Sequence, residues 1–88
     1  MSRDYHPIDC SLHDYIEIAC LKQYQLKLEL VDSSEIFAVA ETTATRADKS
    51  EWLIVRDGAL QHSVRLDSIV AFTPLTENAG FGRIVLRD

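Results

Sequence analysis

Residues 24–30, YQLKLEL, alternate without a break, with Tyr24, Leu26, Leu28 and Leu30 on one side and Gln25, Lys27 and Glu29 on the other. A side-chain period of two belongs to a strand with one buried and one wet face. This stretch therefore commits the chain to a sheet laid over an apolar core. Asp32, Ser33 and Ser34 supply turn chemistry directly after it. Residues 35–42 then return as the second strand of a hairpin. Ile36, Phe37, Ala38, Val39 and Ala40 are all apolar, so this strand is expected to be covered on both faces, with a helix as the obvious cover.

The remaining chain continues in the same manner. Residues 43–50, TATRADKS, are polar and aperiodic and read as an exposed loop carrying Arg46 and Lys49. Residues 51–56 form an apolar strand. Asp57-Gly58 follows as a tight hairpin turn, because that dipeptide tolerates positive φ. Residues 60–66 return with Leu60, His62, Val64 and Leu66 on one face, and His62 is expected at the interior or its edge as a structural residue. After a break at Asp67-Ser68, residues 69–72 form a further strand, 74–80 a loop and 81–86 a last strand, with Gly80 and Gly82 as bend points.

Before this run of strands stands one short helix. Pro7 bars a helix through its own position, so residues 1–10 read as an extended arm. Ser11 is placed as the helix cap, with Asp14 three residues later in capping-box spacing. Leu12, Tyr15, Ile16, Ala19 and Cys20 then recur at i, i+3, i+4, i+7 and i+8, which gathers them on one face of a helix over 11–21. His13, Asp14 and Glu17 fall on the other side. One helix followed by five or six short strands with tight connections predicts a mainly β fold, a small closed or nearly closed barrel over 24–87. Eighty-eight residues make one domain with one small core. An apolar fraction of 47% and a charged fraction of 26% are those of a globular rather than a disordered chain.

Charge narrows the function. Fourteen acids against nine bases give a net charge of −5, which disfavours a nucleic-acid partner, since phosphate neutralisation drives that binding. Residues 1–20 hold Asp4, Asp9, Asp14 and Glu17 against Arg3, a net −3 of that total. Acids near a helix start complement the macrodipole without any partner. Four of them before and on one short helix exceed what capping needs, and the natural counterpart is a basic protein surface. If the 43–50 loop lies beside the helix, Arg46 and Lys49 would make rim contacts with the same partner.

Other chemistry is thin. Cys10 and His13 stand at C-x2-H spacing with His6 and Cys20 nearby, but zinc frameworks show two separated ligand pairs. There is no Gly-rich phosphate loop, GxSxG elbow or HExxH. No catalysis, metal or cofactor is expected. No apolar run is long enough for a membrane span, and the first residues lack the apolar core of a secretory signal. A cytoplasmic protein with its two cysteines as thiols is expected.

Several of these residues together resemble a known family. Tyr5-x-Pro7-Ile8-x-Cys10, Asp14-x2-Glu17-x-Ala19-Cys20, Leu26-x-Leu28-x-Leu30, Glu51-x-Leu53-x-Val55 and Arg65-Leu66-Asp67-x-Ile69 are similar to the pattern of the Rho-binding antiterminators called Rof or YaeO. The N-terminal part is the most specific, because two cysteines, a proline and an acidic helix occur there in order. The resemblance implies a Sm-like (SH3-type) barrel with an N-terminal helix. It also implies binding to the N-terminal RNA-binding region of the termination factor Rho, in competition with RNA, so that Rho-dependent termination is inhibited. Carried over to this sequence, the contact residues are Asp14 and Glu17, with Tyr5, Asp9 and His13 in support and Arg46 and Lys49 in the loop. A Sm-like module that itself binds RNA is the alternative, and the acidic balance speaks against it.

Overall fold

The computed structural model describes residues 10–86; Tyr5, Asp9 and the arm over 1–9 lie outside the described residues. The elements are a helix α1 (Cys10–Leu21) and strands β1 (Gln25–Leu30), β2 (Glu35–Thr45), β3 (Glu51–Asp57), β4 (Leu60–Arg65), β5 (Ile69–Pro74) and β6 (Ile84–Val85), with a 3-10 turn at Leu66–Ser68 between β4 and β5. The strands form one antiparallel sheet in the order β4-β3-β2-β1-β5-β6. The mainly β fold with one N-terminal helix is therefore present, with six strands. Register shifts between Glu29 and Leu30 and between Ala40 and Thr42 interrupt two of the ladders. Such bulges bend a strand and increase its twist. Residues from across the sheet, among them Val64, Leu53, Ala38, Leu28, Phe72 and Leu86, thus meet in one core cluster. Among the described residues, β4 and β6 end the ladder without pairing with each other.

The alternating strand behaves as its sequence dictates. Leu26 and Leu28 are buried, whereas Gln25 is exposed and Lys27 half-buried. Tyr24 lies just outside β1; its ring is buried and its hydroxyl donates to the Ala79 carbonyl at 2.9 Å. The turn after β1 is closed by Asp32, whose Oδ1 accepts from the Ser34 amide at 2.9 Å, with Ser33 at a φ of 72°. Gly58 takes a φ of 63° in the β3–β4 turn, as expected of the Asp-Gly pair.

Four expectations need correction. Strand β2 runs on to Thr45, so only 46–50 remain as a turn; pairing of Thr43, Ala44 and Thr45 with Leu53, Trp52 and Glu51 holds the extra residues. The outer face of β2 is not covered throughout, since Phe37 is 50% exposed. His62 is exposed rather than interior, because the β3–β4 hairpin overhangs the core and leaves Leu60 65% exposed as well. The last strand contains only Ile84–Val85. Phe81 and Leu86, assigned to that strand, still pack inward, Leu86 in the core and Phe81 against it.

Candidate functional site

Helix α1 docks through a small set of side chains. Ile16 and Ala19 are buried, and Leu12, Tyr15 and Cys20 pack half-buried against the same core. The helix packs on β2, whose inward residues at that level are Ala38 and Ala40, both buried. Small side chains on both elements allow close approach. Tyr15 adds an aromatic contact with Phe81, ring centroids 5.0 Å apart. Burial, followed by the nearby Glu17 carboxylate, pushes the Cys20 thiol up to about 11. Cys20 is a packing residue with little thiolate at neutral pH.

The helix begins at Cys10, one residue earlier than expected. Ser11 is thus its second residue and not its cap; Asp9, the preceding residue with capping chemistry, lies outside the described residues. No acid stands in the first helical turn. Asp14, at the fifth position, and Glu17, at the eighth, are both exposed. The field of the helix terminus falls off within its first turn, so complementing the macrodipole accounts poorly for either carboxylate.

His13 links this helix to the sheet. Its Nδ1 lies 4.0 Å from Glu17 one turn on, and its Nε2 lies 3.3 Å from the Glu51 carboxylate at the start of β3. The Nε2 contact is close but not aligned as a hydrogen bond. With its side chain 19% exposed, His13 offers a partner little surface; its ring nitrogens face Glu17 and Glu51. Glu51 is the residue that the sequence pattern missed, because a glutamate opening a strand carries no sign of which helix will reach it.

The turn at 46–50 adjoins that contact and is tightly fixed. The Arg46 amide donates to the Ser50 carbonyl at 2.9 Å and the Lys49 amide to the Arg46 carbonyl at 2.8 Å, with Lys49 at a φ of 71°. Asp48 Oδ1 accepts from the Ser50 amide at 3.0 Å and from its hydroxyl at 2.6 Å, which holds the Asp48 carboxyl below its usual range. Ser50 is buried, and its Oγ accepts from Trp52 Nε1 at 2.8 Å. The Arg46 guanidinium lies 4.5 Å over the Trp52 ring, a cation–π stack.

These groups meet at one end of the molecule but on two sides of it. Along β3 the buried Leu53 and Val55 point into the core, and Glu51 shares their parity while Trp52 has the other. Glu51 and the His13 that contacts it therefore lie on the core side of β3, and the Arg46–Trp52 stack lies on the outer side. Lys49 is exposed at the tip of the same turn. Of the residues expected at the site, His13, Asp14 and Glu17 are together on α1, Arg46 and Lys49 are on the turn that leads into Glu51, the residue His13 contacts, and Tyr5 and Asp9 lie outside the described residues. Among the described residues no three His, Cys, Asp or Glu side chains come together to hold a metal ion; the Cys10 side chain and His6 are not among them. No helix among the described residues is long and apolar enough to cross a membrane.

Comparison with known proteins adds three findings. Residues 7–86 match the model of a family described as modulator of Rho-dependent transcription termination (ROF). The chain is 34% identical over 73 residues to protein rof of Escherichia coli (strain K12), covering 83% of this chain and 86% of that protein, and equally so to protein rof of Shigella flexneri. Its structure is similar to that of YaeO bound to magnesium from Vibrio cholerae O395, with a TM-score of 0.76, 27% identity, and coverage of 84% of this chain and 96% of the other.

Proposed function

Because the chain belongs to the family of modulators of Rho-dependent transcription termination, we propose that it acts by binding Rho at its N-terminal RNA-binding region and excluding RNA from it. The observation that carries this reading is the pair Asp14 and Glu17: two exposed carboxylates, one helical turn apart, beyond the turn where the macrodipole would account for them. A groove that binds RNA must be basic, and a protein that occupies it gains from presenting negative charge. The net charge of −5 supports the same direction of attraction. His13, beside this acidic pair, reaches Glu51 at the start of β3, and in this reading Arg46 and Lys49 on the 46–50 turn are the rim contacts to acidic or polar groups flanking the groove. Tyr5 and Asp9 precede the helix and extend the acidic contact. The protein works by occupancy and carries out no chemical step.

Calorimetric titration of the Rho hexamer with the protein tests this. Wild type should bind with an affinity that falls as salt rises, and Asp14→Arg should keep its circular dichroism and thermal midpoint while losing at least about tenfold in affinity. Unaltered affinity of that folded variant would remove Asp14 from the contact.

The second reading, an RNA-binding module, draws on the Arg46–Trp52 stack, since exposed aromatics and arginines are what single-stranded RNA stacks on. Here the Trp52 ring is half-buried and already covered by Arg46. Tight, salt-sensitive retention of labelled RNA on a filter by the protein alone would favour this reading.

A further inference from the structure

Five apolar residues of α1 pack on or against the core, and two more of its described side chains are apolar. Ile18 is 37% and Leu21 82% exposed. They do not lie at random. Asp14, Glu17, Ile18 and Leu21 follow one another at i, i+3, i+4 and i+7, the spacing that lines residues along one side of a helix. The outer side of α1 is thus a single stripe about 10 Å long at 1.5 Å per residue, acidic in its first half and apolar in its second. Single exposed leucines are ordinary on protein surfaces; an apolar pair continuing a line of exposed acids is a patterned surface.

We propose that this stripe docks as one unit on the single-stranded RNA site of Rho, with Asp14 and Glu17 against the basic groups that take phosphates and Ile18 and Leu21 against the surface on which bases stack. The inference rests on the function proposed above and adds to it the apolar half of the contact. Sites for single-stranded nucleic acid combine a basic groove with aromatic or apolar platforms for the bases. A stripe that passes from charge to hydrocarbon along one helix side presents both features in order. Self-association is a poorer use of the same surface. A second copy seated on it by a two-fold axis would set the acids of each stripe against the apolar pair of the other, covering carboxylates with no basic partner.

The two halves have different signatures. Binding of the full chain to the Rho hexamer is measured by calorimetry at low and at high salt for wild type, Asp14→Asn, Leu21→Gln and Ile18→Ala. Glutamine is a good helix former and Leu21 is exposed, so Leu21→Gln should fold as wild type does. Ile18→Ala is a second, milder truncation of the same half. The expected result is that Asp14→Asn loses affinity chiefly at low salt, because screening weakens charge contacts. Leu21→Gln should lose about tenfold at both salt concentrations, and Ile18→Ala a smaller factor in the same manner. If both apolar variants bind as wild type while Asp14→Asn is weakened, this proposal is overturned and the charge-based reading stands. If all of them bind as wild type, this proposal falls and Asp14 leaves the contact, and if the wild type itself does not bind, the reading beneath it falls as well. A dimer of the free protein in sedimentation that Leu21→Gln dissociates would assign the apolar pair to a second copy and overturn the proposal.

Discussion

Replacing Ile16 by alanine tests how the acidic helix is held in place. The Ile16 side chain is 2% exposed, between the half-buried Leu12 and Tyr15 and the fully buried Ala19 on the docking face of α1. The substitution removes three carbons, which at about 0.8 kcal/mol each gives about 2.4 kcal/mol of lost burial. The cavity left behind adds to this, so that buried isoleucine-to-alanine changes fall in a range of about 2–5 kcal/mol. At about 0.05–0.15 kcal/mol per residue, a chain of 88 residues has a total of about 4–13 kcal/mol. Ile16→Ala is then expected to remove a large fraction of it and to lower the thermal midpoint by at least about 10 °C. Urea unfolding followed by circular dichroism measures the loss. Amide exchange locates it, with the amides of α1 losing more protection than those of β1 and β2. A loss below about 1 kcal/mol, with α1 still protected, would refute the claim that Ile16 anchors the helix.

Two further predictions concern chemistry near the site. Ser50→Ala leaves Trp52 Nε1 without its acceptor and takes the hydroxyl from Asp48, which keeps only the amide of residue 50, and a cost of about 1–3 kcal/mol is expected for the unpaired donor, measured by urea unfolding at neutral pH. Asp48 is held below its ordinary value of 3.8 in the fold, so its contribution is present above that value and lost as pH falls through the folded one. The difference between wild type and Ser50→Ala should therefore shrink below about pH 4. The Cys20 thiol is raised from 9.0 to about 11. Its contribution is complete below pH 9 and lost as pH rises towards 11, and at pH 8 its alkylation, followed by peptide mass spectrometry, should be about 10- to 100-fold slower in the native than in the unfolded chain. Equal rates would contradict its assignment as a packed thiol.

The sequence announced most of the fold because local pattern and tertiary need coincide there. The alternation of Leu26 and Leu28 with Lys27, the Asp57-Gly58 turn and the helical spacing of Ile16 and Ala19 each name both an element and the face it buries. Discrepancies arise where pairing or overhang decides. Thr43, Ala44 and Thr45 have loop composition but are held as strand by the hydrogen bonds of β3 beyond a bulge. His62 has the same strand parity as Val64, yet the hairpin carries it past the end of the core. Phe81 buries its ring against Tyr15, Tyr24 and Phe72 without belonging to a strand. In the candidate site, Asp14 and Glu17 are legible as an exposed acidic pair from helical spacing alone. The His13–Glu51 contact is not, because it joins residues 38 positions apart that meet only once the helix has docked. The stripe completed by Ile18 and Leu21 is not legible either, because it depends on which apolar side chains the docked helix leaves exposed.

The central claim is that this protein and RNA exclude one another on Rho. A fluorescently labelled C-rich RNA bound to the Rho hexamer, titrated with the full chain and followed by anisotropy, measures this directly. The account predicts that anisotropy falls to the value of free RNA at saturating protein, and that Asp14→Arg requires at least about tenfold more protein to do so. RNA that remains fully bound at saturating wild-type protein would contradict it.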